Sequence, residues 1–163
     1  MRLTQLQTSP LVREALFLSG NRMDDAARIQ KVIARFANSF DLKDWSGLEA
    51  CLTETLDTDY SDLRGTPPQN ITASEYVRQR RESLDSLKLH HLVSNYEIEL
   101  ADSHTAACRA SMIVWRKSAE AEFTSHCVYL FQLTNQDSAW RINSITQKVL
   151  WNDGTASMHT GAK

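Results

Sequence analysis

The chain has 163 residues, with 18 Lys or Arg against 20 Asp or Glu and a formal net charge of −2. That length suits one domain with a real core, and the balanced charge, with a sequence pI near 6.2, excludes the basic stripe that a nucleic-acid partner needs. No stretch approaches the ~18 apolar residues of a membrane span. Arg13 and Glu14 interrupt the partly apolar run from Leu11 to Leu18, so no secretion signal is expected and the cytoplasm is the default compartment.

Residues 1–22 form an N-terminal appendage in which Pro10 and Gly20 occur and Leu11, Leu16 and Phe17 are the residues able to pack. It is either a short helix on the domain or partly disordered. The domain proper occupies 23–154 and a tail 155–163. From Asp24 a helix is predicted: Asp24 or Asp25 can cap it, and Ile29, Val32, Ile33, Phe36, Ala37 and Phe40 recur at helix spacing. A second helix follows with Asp41 or Asp44 near its start and Trp45, Leu48 and Leu52 on one side. Thr53 to Tyr60 reads as a short strand and Arg64-Gly65-Thr66-Pro67-Pro68 as a loop. Thr72 caps a third helix, with Glu75 completing a capping box and Tyr76, Val77, Leu84 and Leu87 as apolar residues. Within it, the basic run Arg78-Gln79-Arg80-Arg81, followed by Glu82 and Asp85, reads as one solvated face.

The second half changes character. Residues 88–100, 105–116, 122–134 and 139–151 read as long strands, separated by turn signals at Ala101-Asp102-Ser103, Ser118-Ala119 and Asn135-Gln136-Asp137-Ser138. Helices followed by a run of antiparallel strands is an α+β layer pattern. On the second long strand Ala106, Cys108, Ala110, Met112 and Val114 share one face, and Arg109, Ser111, Ile113 and Trp115 the other. Both faces are partly apolar, as in a curved sheet with helices inside and a second subunit outside, so a homo-oligomer is expected.

Few residues are placed for chemistry. Asp41 continues the apolar ladder of Ile33 and Ala37, so its carboxylate either points into the domain or caps the next helix together with Asp44. His90 and His91 are neighbours on a strand, and only one faces inward. Period-two counting leaves which one open, because a bulge near Ser94-Asn95 would reverse the phase. His104 falls in a turn, His159 in the tail, and His126 opposite the Cys127 and Tyr129 face. Cys51, Cys108 and Cys127 have no CxxC spacing and read as small buried hydrophobes. With no GxSxG, no Gly-rich phosphate loop and no HExxH, neither a cofactor nor a metal is expected.

Five segments occur in an order and spacing that resembles the SnoaL-like family of the NTF2-like superfamily, and within it the scytalone dehydratases. They are Phe40-Asp41-Leu42-Lys43-Asp44-Trp45, Asp59-Tyr60-Ser61-Asp62, His90-His91-Leu92-Val93, Ala139-Trp140-Arg141-Ile142 and Leu150-Trp151-Asn152-Asp153-Gly154. The resemblance covers roughly residues 24 to 154. It implies a cone: a curved mixed sheet wrapped around a pocket closed by N-terminal helices. It places the family's helix-end aspartate on Asp41, its proton-moving histidine on His91 and a pocket tyrosine on Tyr60. The chain departs from the dehydratases at Phe40, where they carry a tyrosine, and at Val114, Trp115 or Arg116, where they carry a second histidine. It departs again near Cys127 and Tyr129, and in lacking a long C-terminal lid.

A buried carboxylate on one ring nitrogen fixes a histidine's tautomer and stabilises the imidazolium it becomes. Such a pair suits proton abstraction next to a carbonyl, and Tyr60 can donate to the oxygen that gains charge. The leading expectation is a cofactor-free lyase or isomerase on a small, mostly apolar, carbonyl-bearing substrate. Selectivity would be set by Phe40, Trp45, Val93, Met112, Val114, Arg116, Tyr129 and Trp151. The rivals are a non-catalytic ligand-binding or dimerisation module on the same cone, and the small subunit of an aromatic-ring dioxygenase.

Overall fold

The computed structural model describes residues 10–158, with side chains described from 22 to 157. His159, residues 1–9 of the appendage and most of the tail lie outside the described residues, as do the side chains of Leu11, Leu16 and Phe17. The elements in chain order are α1 (Pro10–Asp41), α2 (Trp45–Ala50), β1 (Leu52–Asp59), α3 (Ser61–Arg64), β2 (Gln69–Thr72), α4 (Ala73–Leu84), β3 (Lys88–Leu100), β4 (Thr105–Lys117), β5 (Glu122–Gln136) and β6 (Ala139–Gly154), followed by a 3-10 turn. Among the described residues no helix is long and apolar enough to cross a membrane.

The first helix does not start at Asp24. It runs unbroken from Pro10, because proline is well tolerated in a first turn and the single Gly20 weakens a helix without ending it. Asp24 therefore pairs with Arg28 at 2.6 Å within the helix, and Asp25 accepts a hydrogen bond from the Trp140 indole at 3.0 Å, tying α1 to β6. Ile29, Ile33, Phe36, Ala37 and Phe40 are all buried. Phe36 meets Phe40 and Phe131 edge to face, a geometry that favours aromatic pairs beyond their buried area.

The sheet is six-stranded, curved and unclosed, in the order β2-β1-β6-β5-β4-β3. All neighbours are antiparallel except β1 and β6, which run parallel, so the sheet is mixed. The α+β cone implied by the resemblance is the fold observed. Alternation along β4 is clean: Ala106, Cys108, Ala110, Met112 and Val114 are buried on the concave face, and Arg116 follows them with the same parity at 5% exposure. On β5 the inward set is Phe123, Ser125, Cys127, Tyr129, Phe131 and Leu133. The β5–β6 hairpin turns on Asp137 and Ser138, both at positive φ, the backbone signature of a tight two-residue turn.

A bulge sits in β3 where the pairing with β4 shifts between Ser94 and Glu97, and Asn95 takes φ 52° there. Before it Leu89, His91 and Val93 face inward; after it Tyr96, Ile98 and Leu100 do. One extra residue thus reverses the phase of the strand. That is why strict period-two counting could not choose between the two histidines. His90 faces outward and stacks on Trp115 at 5.3 Å.

Candidate active site

The segment Asp41-Leu42-Lys43-Asp44 divides two tasks between two aspartates. The chain leaves α1 through paired end bonds, Lys43 N–H to Phe40 C=O and Asp44 N–H to Ser39 C=O, with Lys43 at φ 57°. This is the Schellman pattern, which stops a helix and satisfies its last carbonyls. Asp44 is then the N-cap of α2, accepting from Gly47 N–H at 2.8 Å. Asp41 is spared from capping. Its carboxylate lies at the negative end of a helix, where it needs compensating donors.

His91 supplies both. Asp41 Oδ2 accepts the His91 backbone N–H at 2.9 Å, and Oδ1 lies 2.6 Å from His91 Nδ1. The two side chains are 16% and 8% exposed, so the contact is shielded from water. Phe40, one residue before Asp41, stacks on the imidazole at 5.2 Å. Burial lowers the His91 pKa, and the bond and charge of Asp41 offset only part of that. The ring is therefore neutral at pH 7, donating Nδ1–H to Asp41 and leaving Nε2 as the basic nitrogen. Nε2 has no hydrogen-bond partner among the described residues.

His91 opens onto a narrow cavity, of which about 30 Å³ is open to the centre of a water-sized sphere. Of the residues expected there, Phe40, Tyr60, His91, Met112, Val114, Arg116 and Tyr129 line it. Asp41 stands behind His91 rather than on the wall.

Three expected residues do not line it. Trp151 is 53% exposed and stacks on His126 at 4.2 Å, because a bulge in the β5–β6 pairing turns it to the convex face. Trp45 sits behind Phe40, edge on at 6.2 Å, and its indole donates to Asp85 at 3.1 Å. Val93 is on the inward face but one step further along β3, where it packs against the core.

The cavity also has residues that the sequence reading missed: Phe36, Arg64, Tyr76, Arg80, Leu89 and Gln147. Arg80 corrects an expectation. The basic run 78–81 is not one solvated face, since Arg78 and Arg81 are exposed while Arg80 is 5% exposed. The signal was present: Arg80 is three residues from Val77 and four from both Tyr76 and Leu84, hence on the buried stripe. Tyr60 and Tyr76 share a hydrogen bond between their hydroxyls at 2.7 Å, and Gln147 donates to the Tyr129 hydroxyl at 2.8 Å. Arg116 reaches the Ser125 hydroxyl at 3.0 Å. Among the described residues no cluster of His, Cys, Asp and Glu is placed to hold a metal.

Comparison with known proteins agrees with this architecture. The SnoaL-like domain family matches residues 21–146. The Scytalone dehydratase-like protein claB of Passalora fulva is 39% identical over 54 residues, 33% of this chain and 33% of that protein. The chain thus matches about a third of that relative's length. Kfla4162 protein from Kribbella flavida superposes with a TM-score of 0.78 at 20% identity, covering 84% of this chain and 97% of that one. Hexachlorocyclohexane dehydrochlorinase LinA-type3 from Novosphingobium barchaimii superposes with a TM-score of 0.70 at 12% identity, covering 86% and 97%. At those identities the two structures speak for the fold alone. With a family match across most of its length and the mixed sheet curved around a cavity, the chain belongs to the SnoaL-like family.

Proposed function

We propose that this chain is a cofactor-free lyase or isomerase in which His91 moves a proton next to a carbonyl and Asp41 holds His91 in the reactive tautomer. The observation that carries the reading is the 2.6 Å contact between Asp41 Oδ1 and His91 Nδ1, which leaves Nε2 unpartnered on the wall of the cavity. His91 Nε2 takes the proton from the carbon beside the carbonyl, and the electron pair moves onto the carbonyl oxygen. The Asp41 carboxylate stabilises the imidazolium that forms. Because the Tyr60–Tyr76 bond uses one hydroxyl proton, the other remains free to donate to that oxygen. Return of the proton to a leaving hydroxyl expels water; return to another carbon isomerises the substrate. The match to a scytalone dehydratase-like protein supports chemistry of this class.

The test is elimination of water from the aldol adduct of benzaldehyde and acetone, together with deuterium uptake from D2O by a panel of aryl ketones. The wild type should accelerate one or both over buffer. His91→Ala and Asp41→Asn should each lose about 10²- to 10⁴-fold with their fold intact by circular dichroism. No acceleration by the wild type, or near-wild-type rates in either variant, overturns the proposal.

The same reading assigns a second copy of this chain to the convex face of the sheet. There Leu92, Trp115, Leu130, Leu150 and Trp151 are between 38% and 59% exposed, and the stacked pairs His90–Trp115 and His126–Trp151 make flat aromatic surface. A patch of that kind is a liability unless covered.

A further inference from the structure

The cavity carries a charge that the proton-moving pair does not use. Arg64, Arg80 and Arg116 line it, and no Asp or Glu does. None of the three makes an ion pair among the described residues. Arg80, at 5% exposure, lies over the rings of Tyr60 and Tyr76 at 4.4 and 4.7 Å, and Arg64 is 5.7 Å from the Tyr60 ring. Those faces favour the cation's centre. One in-plane donor of each still lacks a partner: Arg80 Nη1 and Arg64 Nε are buried with none, and so is one acceptor nearby, Gln147 Oε1.

The tyrosines favour the charge of Arg80, but leaving a buried guanidinium N–H without an acceptor is costly, and two cations side by side repel each other. Burial, followed by the charge of Arg80, pushes the Arg64 pKa down to about 10. A bound anion would supply the missing acceptors. A planar guanidinium presents its edge donors to a carboxylate in a matching fork. The route to this end is also visible, since a cleft lined by Thr58, Thr66, Gln69 and Gln79 shares Tyr60, Arg64 and Arg80 with the cavity. Arg64 and Arg80 therefore stand where an anion arriving from solvent would first meet the interior.

We propose that the ligand of this cavity is a small organic carboxylate, its carboxylate seated on Arg80 and Arg64 and its apolar body directed along Met112 and Val114 toward His91. That the ligand is also the substrate rests on the acid/base reading above; that it is an anion rests on the arginines alone.

The probe is a pair of equal shape and different charge, cinnamate and cinnamamide, measured by calorimetry and thermal shift on the wild type and on R80Q, R64Q and H91N. Cinnamate should bind the wild type at least about tenfold more tightly than cinnamamide. R80Q and R64Q should each remove most of that preference by weakening cinnamate while sparing the amide. H91N should keep the preference, because it acts at the other end. Equal affinity for acid and amide, or binding of neither at millimolar concentration, overturns the proposal in the wild type without reliance on any variant. A preference that survives R80Q and R64Q overturns the seating. Turnover in the Asp41 and His91 variants is a separate readout, so an anion site without proton transfer, or the reverse, is told apart.

Discussion

Replacing Asp41 with Asn keeps the shape of the side chain and changes what its two outer atoms offer. In the wild type both are acceptors, one for the His91 backbone N–H at 2.9 Å and one for the ring at 2.6 Å. An asparagine has one acceptor and one donor group, so two arrangements are open. If the amide oxygen faces the backbone N–H, its NH2 faces Nδ1, which must become an acceptor. The ring proton then moves to Nε2, and the base is lost from the cavity. If the amide is flipped, two donors face each other at the backbone and a buried N–H goes unsatisfied, at a cost of about 1–3 kcal/mol.

The first arrangement avoids that cost, so the tautomer is what yields. The loss expected in kcat/KM is about 10²- to 10⁴-fold, roughly 3 to 5 kcal/mol of transition-state stabilisation. Two measurements check it: the rate of benzylideneacetone formation from the aldol adduct, and the 15N shifts of the His91 imidazole, which report which nitrogen holds the proton. An Asp41→Asn protein that turns over within about threefold of wild type would refute the reasoning. So would slow turnover with the proton still on Nδ1, since the rate would then have fallen for another cause.

Further outcomes follow from the same geometry. Because burial depresses the His91 pKa below 6.5, kcat/KM should be flat near pH 7 and fall only below about pH 6.5, as read from a pH–rate profile. The stability linked to this group is present above pH 6.5 and is lost as pH falls through the depressed value; urea midpoints of wild type and H91N should converge in that acid range. Tyr60→Phe, which leaves the Tyr76 hydroxyl without its partner at 2.7 Å, should lower kcat by up to about 10²-fold with little change in KM, measured by steady-state kinetics. Asp44→Ala removes the α2 cap and should lower the melting temperature while turnover at 25 °C changes far less than in Asp41→Asn; a scan and a rate at one temperature decide this. Trp115→Lys should shift an oligomer toward monomer by light scattering, and an unchanged mass would remove that face from the interface.

What the sequence showed, and what it hid, divides along physical lines. The long strands and the helix bearing Ile29 to Phe40 were legible because one-sided burial imposes a period. The strand phase at His91 was not, since a bulge is a single irregular residue with no compositional mark beyond Asn95. The separation of Asp41 from Asp44 was left open by spacing alone, because either residue can cap a helix. The end bonds of α1 decide it. Arg80 and Gln147 stayed hidden for other reasons. Arg80 lies on the apolar stripe of its helix, but the exposed charges on either side of it mask that position, and Gln147 is buried by a cavity that no single element forms. The turn at Pro67-Pro68 was expected as a loop, yet β2, just beyond it, joins the sheet edge through a pairing visible only in three dimensions.

The parallel pairing of β1 with β6 bears on how the molecule is made. Leu52 is aligned with Ile142, so β1 has no neighbour on that side until nearly the whole domain has been synthesised. Strands β3 to β6 follow one another as hairpins and can assemble as they leave the ribosome. The wall that carries Tyr60, Arg64 and Arg80 must wait for the last of them. A chain stopped short of β6 would therefore display His91 on an open sheet, with no chamber around it. Synthesis itself withholds the chamber until its last strand is made.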